Sequence, residues 1–324
     1  MSTSAPTPAL AGDGGGGSAG PPPPGASPSS TPIGIGATLA AVCVWGVGNT
    51  LIAGVPMSGT ALAFYRLALA ACLYTVILYA RGGRLSRDSF RFGWVGGLAF
   101  GADVLTFFVA IHLTTVANAT TINALQPLVI MGFAAVMFGE RIRAWHLACA
   151  GIATAGVALV AHGASGSGES STLGVVMAVL SLFAWAWYFI ASKRAREHLP
   201  TFEYMTVMNI VAFALVVPVA LLTGDLADAG NRLDPGTFLA ILAIVVVPGS
   251  GHILINWAHA HTTLVMSSLI TLAMPAIATA SAAIFLDQAV DGAQIAGIAL
   301  VMAALAAVII WDSATTADTT EPAP

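Results

Sequence analysis

Residues 122–146 read INALQPLVIMGFAAVMFGERIRAWH, and 148 positions later residues 270–294 read ITLAMPAIATASAAIFLDQAVDGAQ. Both stretches open on isoleucine, reach a proline (Pro127, Pro275), run on through apolar residues and return to polar ones at matching places. Glu140 falls over Gln288, and His146 over Gln294. Identities between alanine-rich segments are cheap, so the paired prolines carry most of the weight. Nearer the start of each half the offset shortens to 140, which lays Trp45 over Trp185. The chain is therefore read as an internal repeat.

The chain has 324 residues, 57% of them hydrophobic and 8% charged, where a soluble domain carries roughly a quarter charged residues. Apolar segments recur near 33–53, 58–80, 92–113, 117–138, 144–162, 172–193, 202–223, 236–258, 262–286 and 292–311. At 1.5 Å rise per residue, each matches a hydrocarbon core of roughly 30 Å. The sequence thus predicts an all-α membrane protein with ten transmembrane helices. Residues 1–32, rich in Gly, Pro, Ala, Ser and Thr, bury too little apolar surface to order and are expected to form a disordered tail. They contain no Lys or Arg, which argues against a signal peptide. Residues 313–324 are expected to form a second disordered tail.

The two repeats are 33–162 and 172–311, each with five segments. An odd number of crossings per repeat forces the halves to enter the bilayer in opposite senses, so the repeat is inverted. Lys and Arg mark the cytoplasmic side. Arg81, Arg84, Arg87 and Arg91 follow the second segment, Arg141 and Arg143 the fourth, and Lys193, Arg194 and Arg196 the sixth. Both termini are then expected in the cytoplasm. Trp94, Trp145 and Trp311 fall at the same level, where indole rings meet headgroups.

Inverted repeats are the device by which secondary transporters expose one central site to either side in turn. Ionisable groups in hydrocarbon cost at least ~2.5–3.5 kcal/mol on insertion scales, so they mark the cavity candidates. Asp103, in the third segment, is the candidate for proton coupling, set against a purely structural hydrogen-bonding role. Arg66 is read either as a partner of substrate or Asp103, or as an interfacial anchor. Thr120, Asn123 and Gln126 recur at i, i+3 and share one helix face beside Pro127. Pro127 and Pro275 each break the backbone ladder in mid-segment and leave a free carbonyl or a kink. Asn49, His252 and Asn256 are further polar groups needing partners, and Trp45 with Trp185 would supply an aromatic wall. Gly93, Gly97 and Gly101, spaced by four, are read as packing.

Net charge is −4 with neutral histidines, which leaves no basic surface for nucleic acid. Cys43, Cys72 and Cys149 lie in apolar runs without CxxC spacing and are read as packing residues. His259 and His261, at i, i+2, point apart, so no metal is expected, and no cofactor. The chain contains no HExxH or P-loop motif, and its GxSxG match, Gly16 to Gly20, falls in the expected disordered tail rather than at a strand-to-helix turn. Enzyme activity is not expected, and an ion or substrate gradient would drive transport. A passive channel or lipid scramblase is the alternative, and an intramembrane enzyme ranks last.

The chain resembles the EamA-type branch of the drug/metabolite transporter superfamily. The resemblance rests on Trp45-Gly46 through Asn49, on Phe64-Tyr65-Arg66 followed by Ala68, and on Pro127 leading to Phe138-Gly139-Glu140-Arg141. In the second half Pro275 is kept, but Leu286-Asp287-Gln288 stands where the family commonly has Leu-Gly-Glu. The resemblance implies a bacterial inner-membrane carrier, typically an exporter of amino acids, related metabolites or drugs. Its cavity would be built mainly by helices 1, 3, 4, 6, 8 and 9. The partners expected are a small-molecule substrate and the lipid bilayer, with a monomer and a dimer both open.

Overall fold

A computed structural model describes residues 30–53, 55–114, 119, 122–163, 171–230, 233–286 and 290–318. All regular structure among them is helical: α1 (Pro32–Ala53), α2 (Gly59–Ala80), α3 (Arg87–Leu113), α4 (Gln126–Phe138), α5 (Ala144–Gly163) and α6 (Thr172–Arg196). There follow α7 (Thr201–Thr223), α8 (Asp225–Gly230), α9 (Pro235–Ala258), α10 (Leu264–Thr271), α11 (Met274–Leu286) and α12 (Gly292–Asp318). Among the described residues eight helical stretches are long and apolar enough to cross a membrane, and Pro32–Gly48 and Gln126–Phe138 are shorter apolar helices. The chain is a multi-pass α-helical membrane protein.

Local chemistry sets the boundaries. Ser86 accepts the Ser89 N–H while the Ser89 hydroxyl accepts the Ser86 N–H, a capping box that starts α3 at Arg87, ahead of its apolar run. Gly139 (φ 63°) ends α4 and Gly224 (φ 73°) ends α7, both in the left-handed region where a Cβ is costly. His146 Nδ1 accepts the Arg143 N–H at 3.0 Å at the head of α5, and Gln294 Oε1 accepts the Asp291 N–H at 3.0 Å at the head of α12. The repeat-matched pair therefore does the same capping job twice.

The prolines differ from a simple mid-helix kink. Pro127 and Pro275 are each the second residue of a helix that restarts after a tight turn. Before Pro127, Leu125 N donates to Ile122 O; before Pro275, Leu272 N and Ala273 N donate to Leu269 O and Ile270 O. In a first turn the missing proline N–H has no partner to lose. The stretch read as one helix over 262–286 is thus two, α10 and α11.

Without water to drive helix association, small residues must let backbones approach. Gly93, Gly97 and Gly101 all face α7: an added Cβ would lie 2.8 Å from Val207 Cγ1, 2.6 Å from Val211 Cβ and 2.8 Å from Ala212 Cα respectively. In the α5·α12 contact Gly156 abuts the Gly297 carbonyl and Val301, while Gly297 abuts the Gly156 carbonyl and Val160. α3 packs along α6 and α7, α2 along α7, α1 along α9 and α11, and α4 against α6 and α10. Trp145 at the head of α5 meets Trp311 near the end of α12, ring centroids 6.0 Å apart. Val136 and Leu222 are 85% and 87% exposed, as lipid-facing side chains are.

The expected tails lie largely outside the described residues. At the edge of the first, Thr31 donates its N–H and hydroxyl to His261 O, and Thr262 donates its hydroxyl to Ser30. The last helix continues to Asp318, beyond the apolar run.

Candidate functional site

A cavity of about 70 Å³ lies inside the bundle, against the ~10–15 Å³ that one water requires. It is reached from α1 (Trp45, Ile52), α2 (Arg66), α3 (Asp103, Val104, Phe107, Phe108), α6 (Trp185), α9 (Pro248, His252) and Met274 of α11, with Asn123 and Gln126 at the α4 break. The α1 and α3 contributions come from the halves of those helices remote from the arginine-rich end. Pro248-Gly249-Ser250-Gly251 thins α9 at this level: a Cβ on Gly251 would lie 2.6 Å from Trp45 Nε1. Trp45 uses this room to donate Nε1–H to the Pro248 carbonyl at 3.0 Å. Trp45 and Trp185 meet edge to face at 5.2 Å, and His252 packs 4.9 Å from Trp45.

The cavity holds both signs of charge without an ion pair between them. Asp103, 7% exposed, accepts a hydrogen bond from the Ser181 hydroxyl at 2.7 Å. Arg66, 5% exposed, places its guanidinium carbon 5.2 Å from the Phe100 ring and 5.8 Å from Phe108. Among the described residues Arg66 Nη1, Trp185 Nε1 and Asn123 Oδ1 are buried without a hydrogen-bond partner, and all three residues line this cavity.

Toward the arginine-rich end the interior is filled by a hydrogen-bonded polar layer, in which His259 Nε2 is left without a partner. Asn256 Nδ2 donates to Tyr188 Oη and His252 O, each at 2.7 Å, and its Oδ1 accepts from Ser192. Ser192 Oγ also lies 2.8 Å from His259 Nδ1, and Arg196 Nε donates to Asn256 O at 3.0 Å. Beyond it, Glu140 bridges three helices. Its carboxylate accepts from Lys193 Nζ (α6) at 3.0 Å and from the Leu264 and Val265 N–H groups that open α10, at 2.8 and 3.0 Å. Lys193 Nζ also donates to Thr262 O at 2.9 Å. An acid on the N-terminal turn of a helix is favoured by the helix dipole as well as by the lysine.

Of the residues singled out from sequence, Trp45, Arg66, Asp103, Asn123, Gln126, Trp185 and His252 line one cavity. Asn256 does not line it: its amide is consumed in the polar layer one helical turn below His252. Thr120 and the side chain of Asn49 lie outside the described residues. The lining residues Ile52, Phe107, Phe108, Pro248 and Met274 carry no sequence signal that separates them from lipid-facing apolar residues. From sequence Glu140 was legible only as a repeat-matched residue within the Phe138-Gly139-Glu140-Arg141 motif, and Lys193 only as a topology charge; the structure pairs the two, with Lys193 11% exposed. Among the described residues no group of three or more His, Cys, Asp or Glu is placed to hold a metal. His261 stacks on Trp257 at 3.9 Å, while His259 faces Ser192.

A protein of Salmonella typhimurium, "Probable amino-acid metabolite efflux pump", is 24% identical over 201 residues, 58% of this chain. The match spans 65% of that protein, just under two thirds of its length. The "Pseudopaline exporter CntI" of Pseudomonas aeruginosa is 26% identical over 220 residues, covering 66% of this chain and 73% of that one. A crystal structure superposes with TM-score 0.70 at 21% identity over 87% of this chain and 98% of its own, a likeness of fold. The profile of the EamA-like transporter family matches residues 32–161 and again 172–310. The chain belongs to the EamA-like transporter family.

Proposed function

We propose that the protein is a secondary exporter of small metabolites that works by alternating access. Its ten crossings form two inverted five-helix repeats, 33–162 and 172–311, with both termini in the cytoplasm of a bacterial inner membrane. Several observations support the inverted repeat. Exchanging the halves turns the α3·α6 contact into α9·α1 and the α4·α6 contact into α11·α1, while α5·α12 and α2·α7 map onto themselves; all these contacts are present. The repeat mates Trp45 and Trp185 touch each other at the centre, as residues beside a two-fold axis do.

The observation that carries the transport reading is one cavity built by both halves and sealed toward the arginine-rich end. The seal is the Tyr188–Asn256–Ser192–His259 layer and the Glu140–Lys193 bridge to α10. On this reading the structure faces outward, and breaking the Glu140 bridge opens the cytoplasmic path. Asp103, a carboxylate beside the cavity held by one hydroxyl, is the proton-coupling residue. The names of the two relatives point to amino-acid-derived metabolites as the substrate class.

Proteoliposomes preloaded with an amino-acid mixture test this. A carrier gives saturable uptake of labelled substrate that is stimulated by substrate on the opposite side, and Asp103→Asn abolishes the response to an imposed pH gradient while exchange persists. Linear flux indifferent to the opposite side would identify a channel, and an unaltered pH-gradient response in Asp103→Asn would remove the proton role.

A further inference from the structure

We infer that Arg66 and Trp185 form a receptor for the carboxylate of the transported molecule, with Asn123 meeting a hydrogen-bond donor on the same molecule. This rests on the cavity being the transport site. Six buried side-chain polar atoms lack partners among the described residues, and three of them, Arg66 Nη1, Trp185 Nε1 and Asn123 Oδ1, belong to residues lining this one cavity. Buried polar groups are paired in the great majority of cases, so such a concentration marks a place where a ligand completes the bonding.

The chemistry of the unpaired atoms selects the ligand. Two are N–H donors, one on a permanent cation, and therefore call for an anionic acceptor. The cavity's own carboxylate does not fill that role, because Asp103 Oδ1 is bonded to Ser181 at 2.7 Å and makes no ion pair with Arg66. The rings of Phe100 and Phe108 meet the guanidinium through cation–π contact, which steadies its charge without using an N–H. A phosphate dianion fits poorly: among the described residues lining the cavity the only other charged side chain is Asp103, which repels a second negative charge. A monovalent carboxylate matches one guanidinium, and the Trp45 edge supplies apolar contact for the remainder of the molecule. The third unpaired atom is an amide oxygen, which suits an amino or hydroxyl group near the carboxylate.

Matched probes test the assignment on the wild-type protein. Leucine, leucinamide, 3-methylbutylamine and 4-methylpentanoate are compared by thermal shift and by competition in counterflow, with the corresponding phenylalanine and threonine sets. The acid is expected to bind about 10- to 100-fold tighter than its amide in at least one set, the range for a hydrogen bond to a charged group. Arg66→Gln is expected to bring the acid-to-amide ratio near one, and Arg66→Lys to keep part of it. Trp185→Phe, which keeps the ring and removes the N–H, is expected to shrink the ratio several-fold with the ligand-free melting temperature retained. Acids no tighter than amides in every set, including no binding at all, would overturn the carboxylate receptor. So would an undiminished ratio in both Arg66→Gln and Trp185→Phe. Saturable counterflow of amides or amines alone would sink this inference and leave the transport reading standing; acid-selective binding without counterflow would do the reverse.

Discussion

Glu140→Gln keeps the shape of the bridging side chain and removes its charge. The carboxylate is 2% exposed and accepts three hydrogen bonds, from Lys193 Nζ and from the N–H groups of Leu264 and Val265. The amide NH2 of glutamine must face one of those donors, so one bond is lost and the lysine loses its counter-charge. Removing one partner of a buried pair costs about 3–5 kcal/mol. Lys193 keeps the Thr262 carbonyl at 2.9 Å and is partly exposed, which reduces the effect to about 2–3 kcal/mol. If the bridge is made only in the outward-facing state, that energy favours cytoplasmic opening by roughly 30- to 150-fold. Ser267 in α10 is fully buried near the bridge, so Ser267→Cys reports the opening through its labelling by an impermeant maleimide applied from the arginine-rich face. The labelling rate is expected to rise by that factor in the Glu140→Gln background. A lowered melting temperature with an unchanged labelling rate would refute the gating argument, leaving the bridge as a fold-stabilising contact only.

Three further outcomes follow from the packing and the polar layer. Gly101→Val drives a side chain into the Ala212 backbone; overpacking of this kind costs about 1–3 kcal/mol, seen as a lower melting temperature in detergent, whereas Gly132→Ala, with open space at its Cβ, is expected to change little. Trp45→Phe removes the bond to the Pro248 carbonyl and is expected to cost about 0.5–1.5 kcal/mol with weaker substrate affinity, read from the same melts with and without ligand. Burial, with the Lys193 and Arg196 charges beside it, holds His259 well below its ordinary value of 6.5. The unfolded chain therefore takes up this proton as pH falls through 6.5 while the folded one does not, and stability drops by up to about 1.4 kcal/mol per pH unit below that point. Melting temperatures between pH 7.5 and 5.5 are expected to fall less steeply in His259→Gln than in the wild type.

The helix pattern was legible because a bilayer demands long apolar runs, and their composition survives without any packing information. The repeat proposed above is read from prolines and tryptophans, residues whose backbone and volume requirements alanine cannot imitate. Most of the cavity was legible too, since Arg66, Asp103, Asn123, Gln126 and His252 are polar in hydrocarbon and must face inward. The apolar lining was not, because Phe107 and Phe108 look the same whether they face lipid or a cavity. Asn256 was open between two roles for a related reason: a polar residue in a helix announces that it needs partners, and Tyr188 and Ser192 supply them as well as a substrate would. The role of Glu140 depends on two backbone N–H groups more than a hundred residues away, a contact that no local pattern encodes. The breaks at Pro127 and Pro275 were half legible. Proline shows that the ladder is interrupted, but only the turns before it decide between a kink and a new helix.

The central claim is that one cavity, shared by both halves, opens to one face of the membrane at a time. Gln126→Cys, in a chain with Cys43, Cys72 and Cys149 replaced, places a single thiol at that cavity. Impermeant maleimide applied to oriented vesicles is expected to label it from the external face, and from the cytoplasmic face once Glu140→Gln is added, with labelling from the first face falling as the second rises. Labelling from both faces at once, or from neither in a protein that still exchanges substrate, would contradict the account.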